Sequence, residues 1–459
     1  MVVVPAPVVR LIVLNYNGGD LVTRCVDHLE HLAWPADRLE IVVIDNASTD
    51  GSADALAERP RVRLVRSPHN AGFPANNLGL RDLDGVDYVG LVNNDAFVTR
   101  GYLQPLVDAL EADAGLGAAC PRILLAPRFA DLALHAPSHM VPGDGRELAV
   151  RLSGVRVRGA ERSRDVVHLS GVHEPERGGA DEPEFRWTAG AAGLAVPVDD
   201  VVAPEGPADG DATVAVPIEV RLAASRPTPV KLDGGASLVE VTVSDHPAWV
   251  PVELAGRPYD IVNNVGSDLI NGSWGGDRGF LEPDRGQFDE AREVFAWCGA
   301  GVLFRPDYLR DVGLFDERFF MYYEDTDLSW RGRARGWRYR YVPDAVLRHK
   351  HAATSVEGSP LFHHFVERNR LLMLTKNAPW RLAASAAGRF VLSTGSYARR
   401  DIVGPVAHGR RPSTGLVEAR VRSFGAYLGL APQMLRDRRR LRAAQVVPDE
   451  AITGWSVER

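Results

Sequence analysis

Residues 8–52 read VVRLIVLNYNGGDLVTRCVDHLEHLAWPADRLEIVVIDNASTDGS. Two runs rich in valine and isoleucine, 8–14 and 40–45, each end in polar residues. Between them Leu21, Val22, Cys25, Val26 and Leu29 recur at helical spacing. Apolar runs of this length fit strands covered on both faces, and the strand–helix–strand order fits a parallel sheet. The pattern continues with strands predicted at 62–65, 88–92 and 117–125 and helices at 52–58, 75–82 and 102–112. In such sheets ligands bind beyond the carboxyl ends of the strands. The polar clusters fall there: Asn15-Tyr16-Asn17, Asp45-Asn46-Ala47-Ser48 and Asn93-Asn94-Asp95.

The chain has 459 residues, a length that suggests two to three domains. A net charge of −7 gives no reason to expect a nucleic-acid partner. Cys25, Cys120 and Cys298 lie far apart with no CxxC spacing, which argues for a reducing, cytoplasmic compartment. The apolar N-terminus lacks a basic region before it and runs directly into a strand, so it reads as structure. No apolar run approaches the length of a membrane span.

From about 127 to 258 the chain is rich in Pro, Gly and Asp. Alternating runs at 155–157, 213–220 and 238–243 predict an all-β insertion. The α/β pattern resumes at 259–264 and 295–304, with a helix at 306–312 and strands at 338–342 and 345–351. Beyond 380 the chain becomes helical and arginine-rich, with apolar stripes at 382–392 and 417–430. Two readings fit this tail: a solvated helical hairpin, or a segment lying on an anionic membrane surface. The resulting plan is an N-terminal half (1–126), an insertion (127–258), a second α/β half (259–380) and a basic amphipathic tail (381–459).

Residues 315–337, FDERFFMYYEDTDLSWRGRARGW, set Glu324, Asp325 and Asp327 among aromatics with arginines just behind. Apolar neighbours raise the cost of ionising a carboxylate and nearby arginines lower it, so proton transfer can be tuned here. The simpler reading is the first turn of a helix, where acids complement the dipole. Asn93 and Asp95, two residues apart at a strand end, supply hard oxygen ligands for Mg²⁺ or Mn²⁺, and they equally suit a turn. His349 and His351 alternate on a predicted strand and share one face, where one of them completes a metal site or is simply structural.

Taken together, 8–29, 40–52, NAGFPANNLGL (70–80), DYVGLVNNDAFV (87–98) and 313–351 resemble inverting family 2 glycosyltransferases of GT-A fold. RNRLLMLTKN (368–377) fits the bacterial rhamnosyltransferase-like subgroup, whose members build cell-surface polysaccharide. The resemblance covers about 8–126 and 259–380. It implies a Rossmann-like, mostly parallel sheet with helices on both faces. It implies that Asn15, Asn17 and Asp45 bind the nucleotide, with Asp45 on the base and Asn94 beside them. Asn70, Gly72 and Asn76 line the nucleoside and diphosphate side. Asn93 and Asp95 stand at the family's DxD metal motif, with one charge fewer because Asn93 replaces an acid. His349 contacts metal or diphosphate. Asp325 is the general base, supported by Glu324 and by Asp327 on the acceptor side. Trp297 either stacks on the acceptor sugar or belongs to the core. The donor favoured is dTDP-rhamnose, and the acceptor is a glycan or lipid-linked glycan. The enzyme would then sit in the cytoplasm, with the tail offering a peripheral seat on the inner membrane face. Two other readings remain at this stage: a catalytically inactive glycan-binding or scaffold protein, and a sugar nucleotidyltransferase. The second lacks its basic, glycine-rich phosphate loop, since no Lys or Arg follows Asn15-Tyr-Asn-Gly-Gly until Arg24.

Overall fold

The computed structural model describes residues 5–141, 145–176, 184–199, 213–350 and 358–458. It divides into two compact units: Met1–Leu124 with Val262–Phe280 and Arg285–Arg459, and Leu125–Ile261 with Leu281–Asp284.

The first unit is built on a ten-stranded sheet. Its strands β1 (Val9–Asn15), β2 (Leu39–Asp45), β3 (Val62–Arg66) and β4 (Tyr88–Asn93) are parallel, in the order β4-β1-β2-β3. Antiparallel neighbours continue the sheet beyond β4 with Gly301–Phe304, β6 (Leu116–Leu125), Arg338–His349 and Arg292–Glu293. The short strand β5 (Ala96–Val98) pairs with Arg338–His349, and Val262–Asn264 pairs with β6.

Alternation along the strands feeds two cores. Leu11 and Val13 of β1 pack with Val22, Cys25 and Leu29 of helix α1 (Gly19–Glu30) and with Leu106 and Leu110 of Leu103–Ala112. Ile12, Val42 and Val89 point the other way, toward Tyr308, Leu309 and Leu328 of helices Pro306–Val312 and Glu324–Ala334. Fully burying one such aliphatic side chain contributes about 1.5–3 kcal/mol. Both faces of the sheet are therefore covered, and in such sheets the carboxyl edge is where a ligand binds.

Register sets that edge. Asn15 lies opposite Asp45, and Leu14 lies opposite Asn93, so the three strand-end clusters come level. The two strands expected at 338–342 and 345–351 form one, Arg338–His349, with Pro343 inside it. Pro343 falls between the stretch paired with Arg292–Glu293 and the stretch paired with β5.

The second unit is a nine-stranded sheet with antiparallel pairings throughout. Its path runs Leu238–Val243, Thr228–Asp233, Phe129–His135, Phe185–Pro197, Arg151–Val157, Val214–Ala223, Ala248–Gly256. Leu132, Leu134, Leu194, Val216, Val220, Val230, Leu232 and Leu254 belong to its separate core. Two long helices, Trp380–Ala398 and Gly415–Ala444, form most of the C-terminal segment of the first unit. Among the described residues no helix is long and apolar enough to cross a membrane.

Candidate active site

The donor side of the carboxyl edge is fastened by amide side chains. Asn15 is fully buried; its Nδ2 donates to Ser52 Oγ at 2.9 Å and Ser48 Oγ at 3.2 Å, while its Oδ1 accepts from the Gly18 amide. Asn94 Nδ2 approaches the same Oδ1 at 3.5 Å. Asn17, at φ +50°, accepts from the Thr49 amide at 2.8 Å. Asp45 accepts from the Ser48 amide and lies 3.6 Å from the Arg66 guanidinium. Asn46 binds the next loop, donating to Asn70 Oδ1 at 2.9 Å and the Gly72 carbonyl at 3.2 Å and accepting from Ala71. Asn76 is buried beside this loop, its Nδ2 on the Phe73 carbonyl and its Oδ1 without a protein partner. An orphaned buried carbonyl oxygen is costly unless something else satisfies it.

Beside β4, His349 and Asp95 are both buried, with Nε2 and Oδ1 3.0 Å apart. His349 Nδ1 lies 2.8 Å from Asn263 Oδ1, which can only accept, so Nδ1 carries a proton while Nε2 faces Asp95 Oδ1. Asn93 Nδ2 also reaches Nε2, at 3.3 Å. An imidazole nitrogen and a carboxylate oxygen side by side are a donor pair that would suit Mn²⁺ or Mg²⁺. Among the described residues no group of three or more His, Cys, Asp or Glu could hold a metal. Asp95 and His349 would be the residues that hold such an ion, which would leave it free to meet phosphate oxygens. His351 lies outside the described residues.

The base segment opens helix Glu324–Ala334. Asp325 is half-buried, and its Oδ1 accepts from the Thr326 amide at 2.6 Å and the Thr326 hydroxyl at 3.1 Å. Burial, reinforced by the charge of Asp277, raises its pKa to about 6 against the opposing amides of Thr326 and Gly299. Glu324 is more deeply buried with Oε2 unpartnered; burial first, then the Asp325 charge, push its pKa well above the usual carboxylate range. Asp277 is itself held by Asn264 Nδ2 at 2.5 Å. The turn 297–301 joins base and metal sides, since the Ala300 carbonyl accepts from the Asn93 amide at 3.1 Å.

The loop before this helix carries positive φ at Phe320 (66°), Tyr322 (68°) and Tyr323 (69°). Each such residue costs about 1–3 kcal/mol and persists only where its surroundings over-determine it. Gly72 lies directly against the loop: a Cβ there would fall 2.0 Å from the Phe320 carbonyl oxygen, which accepts from the Phe73 amide at 2.7 Å.

Two expected acceptor contacts are corrected. Trp297 is fully buried, with edge contacts to Phe304 and Phe315 at 4.8 and 5.9 Å between ring centres, and has no face to offer a sugar. Asp327 is also fully buried, bound by Arg331 Nε (2.9 Å), Lys376 Nζ (2.8 Å) and Asn377 Nδ2 (2.7 Å). It anchors the helix and cannot touch an acceptor. Behind the helix, a cavity of about 180 Å³ is lined by Arg331, Arg335, Lys376 and Arg442, each already paired with Asp327, Asp311, Asp316 or Asp449. Sequence reasoning gave no role to Asn46, Asn263, Asp277 or Asn369. Only their membership of polar clusters or of the 368–377 run marked any of them.

Residues 11–139 match the family profile Glycosyl transferase family 2. The chain carries a family 2 glycosyltransferase domain. Residues 280–371, which include the base segment, match Glycosyl transferase family group 2. The transferase domain is similar to N-acetylglucosaminyl-diphospho-decaprenol L-rhamnosyltransferase of Mycobacterium tuberculosis, 35% identical over 138 residues, covering 28% of this chain and 42% of the relative. Over 96 residues it is 27% identical to the poly(ribitol-phosphate) beta-glucosyltransferase of Bacillus spizizenii, covering 20% of this chain and 15% of the relative. The chain thus spans less than half the length of these curated relatives. Among solved structures it resembles GalNAc-T7 with UDP, GalNAc and Mn²⁺ (TM-score 0.41, 14% identity, 81% of this chain, 48% of that one). It also resembles the mannosyltransferase PcManGT of Pyrobaculum calidifontis with GDP-Man and Mn²⁺ (TM-score 0.37, 16% identity, 99% and 81%). The transferase domain has the GT-A type of α/β fold.

Proposed function

We propose that this protein is a metal-dependent, inverting glycosyltransferase that moves a sugar from a nucleotide-diphosphate donor to a hydroxyl of a glycan or lipid-linked glycan. The observation that carries the reading is Asp325: a carboxylate tuned to about 6, poised at a helix start beside the edge that holds Asp45 and Asp95. Such a group is ionised at neutral pH yet basic enough to take a hydroxyl proton. Asp325 receives that proton as the acceptor oxygen attacks the anomeric carbon from the face opposite the departing diphosphate, which inverts the configuration. Asp45, with Asn15 and Asn17 holding its loop, meets the nucleoside; Asn70, Gly72 and Asn76 line the path to the diphosphate. Asp95 and His349 hold the ion, and bound Mg²⁺ or Mn²⁺ offsets charge on the leaving diphosphate. The name of the rhamnosyltransferase relative supports rhamnose as the sugar moved and a prenyl-diphosphate-linked sugar as acceptor, and the family resemblance favours dTDP as the carrier.

The tail supports a seat on an anionic membrane. Val391, Leu392, Val403 and Val406 are exposed aliphatics, and Arg389, Arg399, Arg400, Arg410 and Arg411 are exposed beside them. Aliphatics inserted at the headgroup boundary and cations near anionic lipid add affinity together. Pelleting with phosphatidylserine vesicles at low salt, absent with phosphatidylcholine, is the expected result, and equal behaviour with both removes the proposal.

The transfer reading is tested by nucleoside diphosphate release from nucleotide sugars with Mn²⁺ and a prenyl-diphosphate-linked N-acetylglucosamine. The expected result is release that depends on acceptor and metal and is lost in Asp325→Asn. Full activity in that variant sinks the assignment. Absence of release across the donors, with nucleotide bound, favours an inactive glycan-binding protein.

A further inference from the structure

The loop that carries the base is shaped by a residue outside every cluster described so far. Asn369 lies in helix Pro360–Asn377 and is fully buried. Its Nδ2 lies 2.8 Å from each of the carbonyl oxygens of Phe319, Met321 and Tyr322. Its Oδ1 accepts from Arg368 Nε at 2.8 Å, which fixes the amide with its N–H groups toward the loop. Arg368 Nη2 adds bonds to the carbonyls of Arg318 (3.0 Å) and Phe319 (2.9 Å). Four successive-region carbonyls of a strained loop are thus gathered on one helix turn, and they have this clamp to satisfy them.

The same loop touches both sides of the site. Glu324 and Asp325 follow it directly, while its Phe320 carbonyl receives the Phe73 amide and abuts Gly72. Moving the loop therefore moves the base and the donor-side loop 70–73 as one piece.

We propose that Asn369, aimed by Arg368, is a positioning residue that sets Asp325 relative to the donor-side loop; this rests on the reading of Asp325 as the base. Asn369 touches no substrate. It fixes the distance across which the acceptor hydroxyl and the donor sugar meet, a quantity to which transfer rates are steeply sensitive.

The test uses the full chain carrying Asn369→Ala, Asn369→Asp or Arg368→Lys. Hydrogen exchange needs no substrate: faster exchange is expected in 318–327 and in 70–74 together, with β1 and β4 unchanged. Exchange confined to the loop, or spread through β1 and β4, overturns the proposal. In transfer from dTDP-rhamnose, kcat should fall about 10- to 100-fold in Asn369→Ala with a smaller change in donor KM. The acid limb of kcat should move to lower pH as water reaches Asp325, and Arg368→Lys should fall between parent and Asn369→Ala. A rise in KM alone, with kcat and the limb unchanged, overturns it. If Asp325→Asn stays active, the base assignment fails and the exchange result still decides the clamp. If Asp325→Asn is inactive and Asn369→Ala matches the parent, the clamp alone fails.

Discussion

The two sides of the site are held by opposite devices. On the donor side, neighbouring loops are stitched to one another by short polar side chains at strand ends, as Asn15 is to Ser48 and Ser52 and Asn46 is to Asn70 and Gly72. Each partner lies within about one strand–helix unit of the other in sequence. On the base side, a loop with three positive-φ residues is held at the carbonyls of Arg318, Phe319, Met321 and Tyr322 by Arg368 and Asn369, some fifty positions downstream. A pocket for a rigid, charged nucleotide needs firm walls, whereas a base must be set against a second substrate. Its support comes from a separate helix, while the Phe73–Phe320 bond ties it to the donor-side loop.

The largest expected effect sharpens this contrast at Asp325. Asp325→Asn should lower transfer by about 10²- to 10⁴-fold, as loss of a general base does, with nucleotide affinity unchanged by calorimetry. In the parent, kcat should fall below an acid limb near pH 6, where Asp325 takes up its proton. Next comes Asp327, two residues on and built for anchorage. Asp327→Asn leaves Lys376 and Arg331 buried with a lost counter-charge, and urea unfolding should show a loss of about 3–5 kcal/mol. Equal stability of the two variants would break the division between these acids. His349→Ala should cost about 10- to 100-fold in Mn²⁺-stimulated activity, read as a raised Mn²⁺ requirement.

Smaller effects probe the seam between the two sides. Gly72→Ala meets both a positive φ and the Phe320 carbonyl, so a loss of about 1–3 kcal/mol is expected, with weaker nucleotide binding. The smallest is a gain. The folded-state pKa of Asp325 is raised above its unfolded value, so burying it ionised costs stability above pH 6 and nothing below about pH 4. Asp325→Asn should therefore be more stable than the parent by about 1–2 kcal/mol at pH 8, the gain vanishing at pH 4. A gain that persists at pH 4 would point to packing as its origin.

How far this could be read from the chain follows the same division. β1, β2 and β4 declare themselves as unbroken Val/Ile runs closed by polar residues, because a strand buried on both faces has no other composition. The strand-end clusters come with them, since parallel register alone brings Asn15 level with Asp45. The acceptor-side readings of Trp297 and Asp327 fail for one reason: sequence shows an aromatic near a glycine turn, or an acid at a helix start, but not what covers it. The cover came from Phe304, Phe315, Lys376 and Asn377. The strands expected at 338–342 and 345–351 are one, because their pairing with Arg292–Glu293 at one end and β5 at the other appears only in three dimensions. Asn369 was visible within a recurring run, yet three carbonyls of another segment give it meaning.

Lys376 and Asn377 also set a lower limit on how short this enzyme can be. Both bind the buried Asp327, and their helix end is in turn closed from the C-terminal helix: Arg438 donates to the carbonyls of Thr375 and Ala378, and Arg442 to that of Asn377. Trimming the tail back to the last recognisable family residue would therefore strip the closure from the very turn that grips helix Glu324–Ala334. The tail is a keystone of that turn, and gene fusions or truncations that treat it as an appendage should yield protein that binds nucleotide and turns over poorly.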